Sequence, residues 1–553
     1  GSCWSPPLSF ATPLGRCLSP RQLEAPRCGA RRGTRRGTRR GTGRGTAVAA
    51  APAVVADGGV PEVYAIGLGA SLALALCLMF VVKPWDSTSE TVGDATRTKA
   101  NSGASCLGNL FLPVWFLCVA GDWLQGPYVY ALYDSYGLPR AEIARLFVAG
   151  FASSMAVGTV VGSWVDQFGR KGGCQLYCVL YMFSCFTKHF ANFWMLLLGR
   201  LTGGVATSLL FSAFEAWLVR EQELRVAATA SNEGGASVAT SSGVSTSSSN
   251  SSSLVELRRV FGLMWFGNSL VAIAAGPVGD AAVHLQPLTA GPGAFRYGGL
   301  TAAFDLAILF LALGLGVLTL TWRENRGGSA GEENTVSSGE EESAAPSPDL
   351  LVRGAELVAG DAALLALAAV VAGFEAATYA FIFNWTPALT EGASEAPALG
   401  SVFATLMLAY TSGTLAFQLL APASSLEGSA AAGAKAEIAA PTAAPAVPAL
   451  RTALALAPLA LSAPALALNS LPAGSAARTA WVLGGFVLFE FCCGLYAPAV
   501  SAVKGALVPE RLRSTVYSAY RAPMNAIVLV VLLYDAPPAG ALAACVVLLL
   551  LAA

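Results

Sequence analysis

Thirteen apolar runs dominate this sequence and leave few folds open to it. Crossing a bilayer takes about 20 mostly apolar residues. The first run, 63–82 (VYAIGLGASLALALCLMFVV), stands alone and is followed by a polar stretch, 83–106. Six runs come next, near 107–133, 143–165, 173–190, 193–219, 259–283 and 299–322. A hydrophilic segment, 323–353, separates them from six more, near 357–384, 398–420, 449–470, 479–503, 514–535 and 539–553. Composition agrees: 54% of the 553 residues are hydrophobic, 12% are charged, and mean hydropathy is +0.58. A soluble chain carries roughly twice that charge fraction, about 25%. The expectation is an all-α polytopic membrane protein with two six-helix halves and one extra N-terminal helix.

The other segments follow from composition. Residues 1–62 read as a disordered Arg-rich segment, with ten Arg and one acid, Glu24, in the first 47 positions. The repeat RRGTRRGTRRGTGRGT cannot build a core; a transit peptide and a misread gene start are both open. The opening Gly1 and the closing run LLLLAA read as incomplete chain ends. Expected domains are the lone helix 63–82, an N-terminal half 107–322, a linker 323–356 and a C-terminal half 357–553. The Ser-rich stretch 226–253 and the Ala/Pro-rich stretch 421–448 read as loops.

Basic residues orient the chain. One set of loops carries Arg170, Lys171, Arg220, Arg225, Arg258, Arg259, Arg323, Arg326, Arg353, Lys435, Arg451, Lys504, Arg511 and Arg513; the opposite set carries only Arg140, Lys188, Arg296 and Arg478. The positive-inside rule puts the linker in the cytoplasm. The expected location is the plasma membrane, with an organelle envelope as the alternative.

Several chemistries are disfavoured. The net charge is zero, so no bulk attraction to nucleic acid follows. Two histidines, His189 and His284, and cysteines without a CxxC pair offer no metal centre. No phosphate-binding GxxxxGK[ST] loop is present. No cofactor is expected, and the chain does not read as an enzyme.

Residues 162–171, GSWVDQFGRK, match the loop 2–3 signature of the major facilitator superfamily. Its six-plus-six arrangement, built of three-helix repeats, resembles the pattern of runs here. Gly162, Asp166, Gly169, Arg170 and Lys171 carry the motif. Gly169 permits a tight turn, and Asp166 can face the positive end of a helix. The resemblance names that helix as core helix 11, which would start at Arg513-Ser514-Thr515 with Ser514 as cap. The equivalent motif between core helices 8 and 9 is absent. Longer strings, GDWLQGPYVYALY (121–133), LLLGRLTGG (196–204), LLFSAFEAW (209–217), FIFNWTP (381–387) and FEFCCGLYAP (489–498), resemble the molybdate-anion transporter family. That resemblance covers roughly 110–322 and 357–535 and implies uptake of a tetrahedral oxyanion, molybdate. Sulfate, another small solute, or a non-transporting sensor on the same fold are the alternatives.

Ionisable groups at bilayer depth are costly and are functional candidates by default. Asp122, Glu215, Glu375 and Glu490 fall in core helices 1, 4, 7 and 10, the first helices of the four repeats, each beside an aromatic residue. They are candidates for proton coupling or gating, against a plain role in holding helices together. Arg521 and Arg200 are candidate oxyanion ligands, because guanidinium offers a planar fork of charged donors. Arg200 and Glu215 lie roughly 22 Å apart along one helix and cannot pair. Asn525, Asn268, Gln125 and Tyr128 could supply neutral donors, with Asn384 and Tyr130 as further candidates; packing competes with ligation at each. Lys504 reads as marking a helix end rather than the cavity.

Overall fold

A computed structural model describes residues 62–82, 94–158, 161, 164–165, 169–234, 245–325, 356–393, 397–421, 446–508, 513–534 and 536–553. The Arg-rich start, nearly all of the linker and most of the 421–448 stretch lie outside the described residues. The helices are α1 (Glu62–Val82), α2 (Asp94–Trp123), α3 (Val129–Ser135), α4 (Arg140–Gly158), α5 (Arg170–Thr187), α6 (Phe193–Gly234), α7 (Ser245–His284) and α8 (Ala302–Thr321). The second series is α9 (Ala362–Thr390), α10 (Leu399–Leu420), α11 (Val447–Ser470), α12 (Ala476–Leu507), α13 (Arg513–Leu533) and α14 (Pro538–Ala552). A two-stranded hairpin, β1 (Thr289–Ala290) and β2 (Arg296–Tyr297), joins α7 to α8. Among the described residues, ten helical spans are long and apolar enough to cross a membrane. The chain is an all-α polytopic membrane protein.

Core helix 1 is α2 and α3 together, core helices 2 to 6 are α4 to α8, and core helices 7 to 12 are α9 to α14. The first six pair 1 with 5 and 6, 3 with 4 and 6, and 2 with 4. The last six repeat this scheme: 7 with 11 and 12, 9 with 10 and 12, and 8 with 10. The two sets meet through core helices 5 and 8, 2 and 11, and 1 and 7. Exchanging the two sets maps that interface onto itself. The extra helix α1 belongs to one side only, packing on α10 and α12.

Small residues set the closest crossings, as membrane packing without a hydrophobic driving force requires. Gly203 and Gly204 of α6 turn toward Ser184 of α5 and the Gly150 carbonyl of α4. Gly413 of α10 and Gly494 of α12 each press on the other helix's backbone.

Three runs differ from a plain span. Core helix 1 breaks after Trp123: a 3₁₀ turn, Gly126–Tyr128, intervenes before α3. Pro127 has no N–H to continue an α-helix. Core helix 7 starts at Ala362 because the Asp361 carboxylate caps it, accepting from the N–H groups of Ala363 (2.8 Å) and Leu364 (3.4 Å). The Ser-rich stretch is partly helical: α6 runs on to Gly234 and α7 begins at Ser245. Near its start Arg225 pairs with Glu221 at 3.1 Å, one turn apart.

Candidate functional site

The start of α5 and the end of α8 clasp each other at the end of the bundle that leads into the linker. Gly169 sits at φ 117°, a conformation glycine tolerates, immediately before α5. The Glu324 carboxylate accepts from the N–H groups of Lys171 (3.1 Å) and Gly172 (3.2 Å). In return the Lys171 ammonium donates to the carbonyls of Thr319 (2.9 Å) and Trp322 (2.8 Å) at the end of α8. An acid meets the positive helix end and a cation the negative one. Trp322 stacks on Trp217 at 3.7 Å and donates to the Leu110 carbonyl at 3.1 Å, tying core helices 1, 4 and 6 together. Gly162 and Asp166 lie outside the described residues. Core helix 11 begins at Arg513, which puts Ser514 inside its first turn.

The opposite end, the hairpin side, is where the described hydrogen bonds between the two halves lie. The Asp280 carboxylate of α7 accepts from the N–H groups of Gly400 and Ser401 at the start of α10. Arg140 of α4 donates to the Asn384 side-chain carbonyl of α9 at 2.5 Å and lies over the Phe383 ring. Phe383 also meets Tyr130 and Phe147 edge-on, and Phe151 meets Tyr379. Below this layer Trp123 contacts Phe403 and donates to the Asn268 side-chain carbonyl at 3.0 Å. These contacts close the bundle on the hairpin side.

The four intramembrane acids have different surroundings. Asp122 accepts a hydrogen bond from the Tyr181 hydroxyl. Glu375 is paired with Lys504 at 3.2 Å, and Lys504 also lies over the Tyr517 ring. Lys504 therefore does more than mark a helix end: it is the partner of Glu375. Glu490 is 2% exposed and its Oε2 has no hydrogen-bond partner. Its neighbour Phe489 stacks on Phe374, the neighbour of Glu375. Glu215 is half-buried on α6.

Among the candidate donors, Arg200 points at α4, with Nε 3.2 Å from the Leu146 carbonyl and the guanidinium 4.6 Å from the Phe147 ring. It does not approach Glu215, because α6 is continuous between them. Asn525 of α13 is buried, and its Nδ2 donates to nothing. Arg521 lies one turn earlier on α13, where only its backbone is described. Gln125 donates to the Gly121 carbonyl across the helix break. Tyr128 donates to Asp280, and Asn384 accepts from Arg140, so both serve the hairpin-side closure in this conformation. Sequence reasoning missed Asp280, Glu324 and the Lys504 partner of Glu375.

A family model described as sugar transporters with 12 transmembrane segments matches residues 86–244 and 248–441. Molybdate-anion transporters are similar along most of their length. The one from Danio rerio is 31% identical over 79% of this chain and 80% of its own. The one from Xenopus tropicalis is 27% identical over 78% and 81%. The chain belongs to the molybdate-anion transporter family of the major facilitator superfamily. A solved nucleoside transporter shares the fold at a TM-score of 0.51 and 11% identity, covering 81% of this chain and 97% of that one. As a member of this family the chain is an integral, multi-pass membrane transporter. Its GDWLQGPY string, one of the pieces that carry the family resemblance, is the site of the break in core helix 1.

Proposed function

We propose that this chain carries molybdate across a membrane as a secondary active transporter, by alternating access to a site between its two halves. The observation that carries the reading is the buried Asn525 Nδ2, a donor with no acceptor, one helical turn from Arg521. A buried donor left unmade costs about 1–3 kcal/mol. A tetrahedral oxyanion offers only acceptors and a charge, which suits an amide donor and an arginine one helical turn apart in sequence. Arg200, which among the described residues bonds one carbonyl and a ring face, is the second cation of the site. The names of the relatives supply the substrate.

The same reading assigns the coupling proton to Glu490. Asp122 and Glu375 have partners, Tyr181 and Lys504, whereas one oxygen of Glu490 has none. An oxygen with no hydrogen-bond partner on a buried carboxyl is open to take and release a proton. The linker is assigned to the cytoplasm by the basic asymmetry, so the hairpin side faces away from it. The description of the matching family model supports a second reading, a sugar as substrate.

Uptake of radiolabelled molybdate in a transport-deficient cell separates these readings. Tungstate and sulfate are the anionic competitors and a panel of hexoses the neutral ones. Arg521→Ala should abolish saturable uptake with expression intact, and Arg521→Lys should weaken it because the bidentate fork is lost. Asn525→Ala should raise KM. Glu490→Gln should remove dependence on the proton gradient. Wild-type uptake by Arg521→Ala, or competition by hexoses alone, overturns the oxyanion reading.

A further inference from the structure

Asp280 stands one turn from the end of α7, in the first half of the bundle, yet its carboxylate serves the second. Oδ1 accepts from the Tyr128 hydroxyl (2.8 Å) and the Gly400 N–H (2.8 Å). Oδ2 accepts from the Ser401 N–H (2.7 Å) and the Ser401 hydroxyl (2.8 Å). Gly400 and Ser401 are the second and third residues of α10. The residue before that helix, Ala398, supplies no side-chain cap. A helix that starts inside a membrane protein needs its first N–H groups satisfied. Here the acceptor comes from the other half. The site is 9% exposed at Asp280, so water competes weakly for these donors. The backbones are close enough that a Cβ on Gly400 would strike the Gly276 carbonyl, and a Cβ on Gly276 would strike the Gly400 carbonyl.

We propose that Asp280 is the latch of the hairpin-side gate, a carboxylate that caps α10 when the two halves close and leaves it when they part. The inference rests on the alternating-access reading above. α7 and α10 belong to different halves, so opening on the hairpin side has to break this contact. Four donors on one carboxylate, two of them at a helix N-terminus, form a strong link that depends on charge. Because these bonds exist only in the closed state, they set its population. The positions repeat by symmetry: core helices 5 and 8 meet as 2 and 11 do. Tyr128 lies in the 3₁₀ break of core helix 1, so the latch also holds that break in place.

Spin labels at Leu285 and Glu391, exposed positions on the hairpin side of the two halves, report the gate. Electron-resonance distances are measured on the full chain in lipid nanodiscs, with reactive native cysteines replaced. The wild type should show a short and a long distance. Asp280→Asn keeps the shape but puts an amide donor against N–H groups. It should raise the long-to-short ratio by about tenfold. Tyr128→Phe removes one donor without changing the helix cap and should raise the ratio less. Asp280→Glu should fall between wild type and Asn. An unchanged ratio in Asp280→Asn and Tyr128→Phe overturns the latch while leaving alternating access standing. A single distance in the wild type, with and without molybdate, overturns alternating access and the latch with it. Should Asp280→Asn fail to fold, the Tyr128→Phe ratio decides alone.

Discussion

Gly169→Ala tests the clasp between α5 and α8 through two separable costs. The first is backbone strain. At φ 117° and ψ 133° a non-glycine residue is held in a sparsely allowed region, at about 1–3 kcal/mol. The second is steric. A Cβ at this position would lie 2.7 Å from Cδ and Oε2 and 2.9 Å from Oε1 of Glu324. The carboxylate has to move, and its bonds to the N–H groups of Lys171 and Gly172 go with it. Capping groups are worth about 0.5–2 kcal/mol. Glu324 is exposed, so the lower end, about 0.5–1 kcal/mol, applies. The sum is about 1.5–4 kcal/mol. Hydrogen exchange at the amides of residues 171–174, in detergent-solubilised protein, reads it as faster opening of the start of α5. In a Glu324→Ala background the steric and capping share is already gone. There Gly169→Ala should cost about 0.5–1 kcal/mol less, a coupling outside the additivity error. Unchanged exchange in Gly169→Ala, or additivity of the two substitutions, refutes the clasp.

Two further predictions concern charge and orientation. Lys504→Ala leaves the half-buried Glu375 without its ion-pair partner, and should lower thermal stability, whereas the charge-swapped pair Glu375→Lys with Lys504→Glu should recover part of the loss in a melting assay. A cysteine at Ser338 should stay unreactive to an impermeant thiol reagent in intact cells and react after permeabilisation; labelling without permeabilisation would invert the assigned topology.

Helix placement was legible in the sequence because lipid-facing spans need apolar runs, and runs are visible without knowing the partner. The break at Gly126-Pro127 was visible as residues but was read through, since the flanking apolar character continues across it. The Asp361 cap moved a boundary by a few residues and needed only the Asp before an Ala-rich run. Asp280 was not legible. It sits in AAGPVGDAAVH, where one acid at the end of an apolar run reads as an interfacial residue. Two of its four donors are backbone N–H groups about 120 residues away, which have no side-chain signature. Lys504 stands in the last turn of its helix, as read, but its partner was not legible: a four-carbon stem reaches inward to Glu375 as easily as outward. The repeat-matched acids were found as a set, but their partners come from other helices and divide the set.

That division bears on which substrate the fold suits. In the first half, Lys188 is 1% exposed and donates only to the Ser184 carbonyl and hydroxyl. Among the described residues neither Lys188 nor Arg200 has a carboxylate within ion-pair distance. The guanidinium of Arg200 stays charged wherever it sits, and a half-buried cation without a carboxylate raises a positive potential that surface salt screens little. In the second half, by contrast, the described intramembrane cation Lys504 is spent on Glu375. A neutral sugar gains nothing from the field on the first half and would find it costly to leave unbalanced. An oxyanion is drawn toward it and balances the charge of Arg200. The unbalanced Arg200 therefore favours an anion over a hexose, and Lys188→Met, which removes a buried amine donor while keeping an apolar stem, should weaken molybdate uptake by raising KM. An unchanged KM in that variant, with Arg521→Ala inactive, would confine the anion's contacts to the α13 side of the bundle.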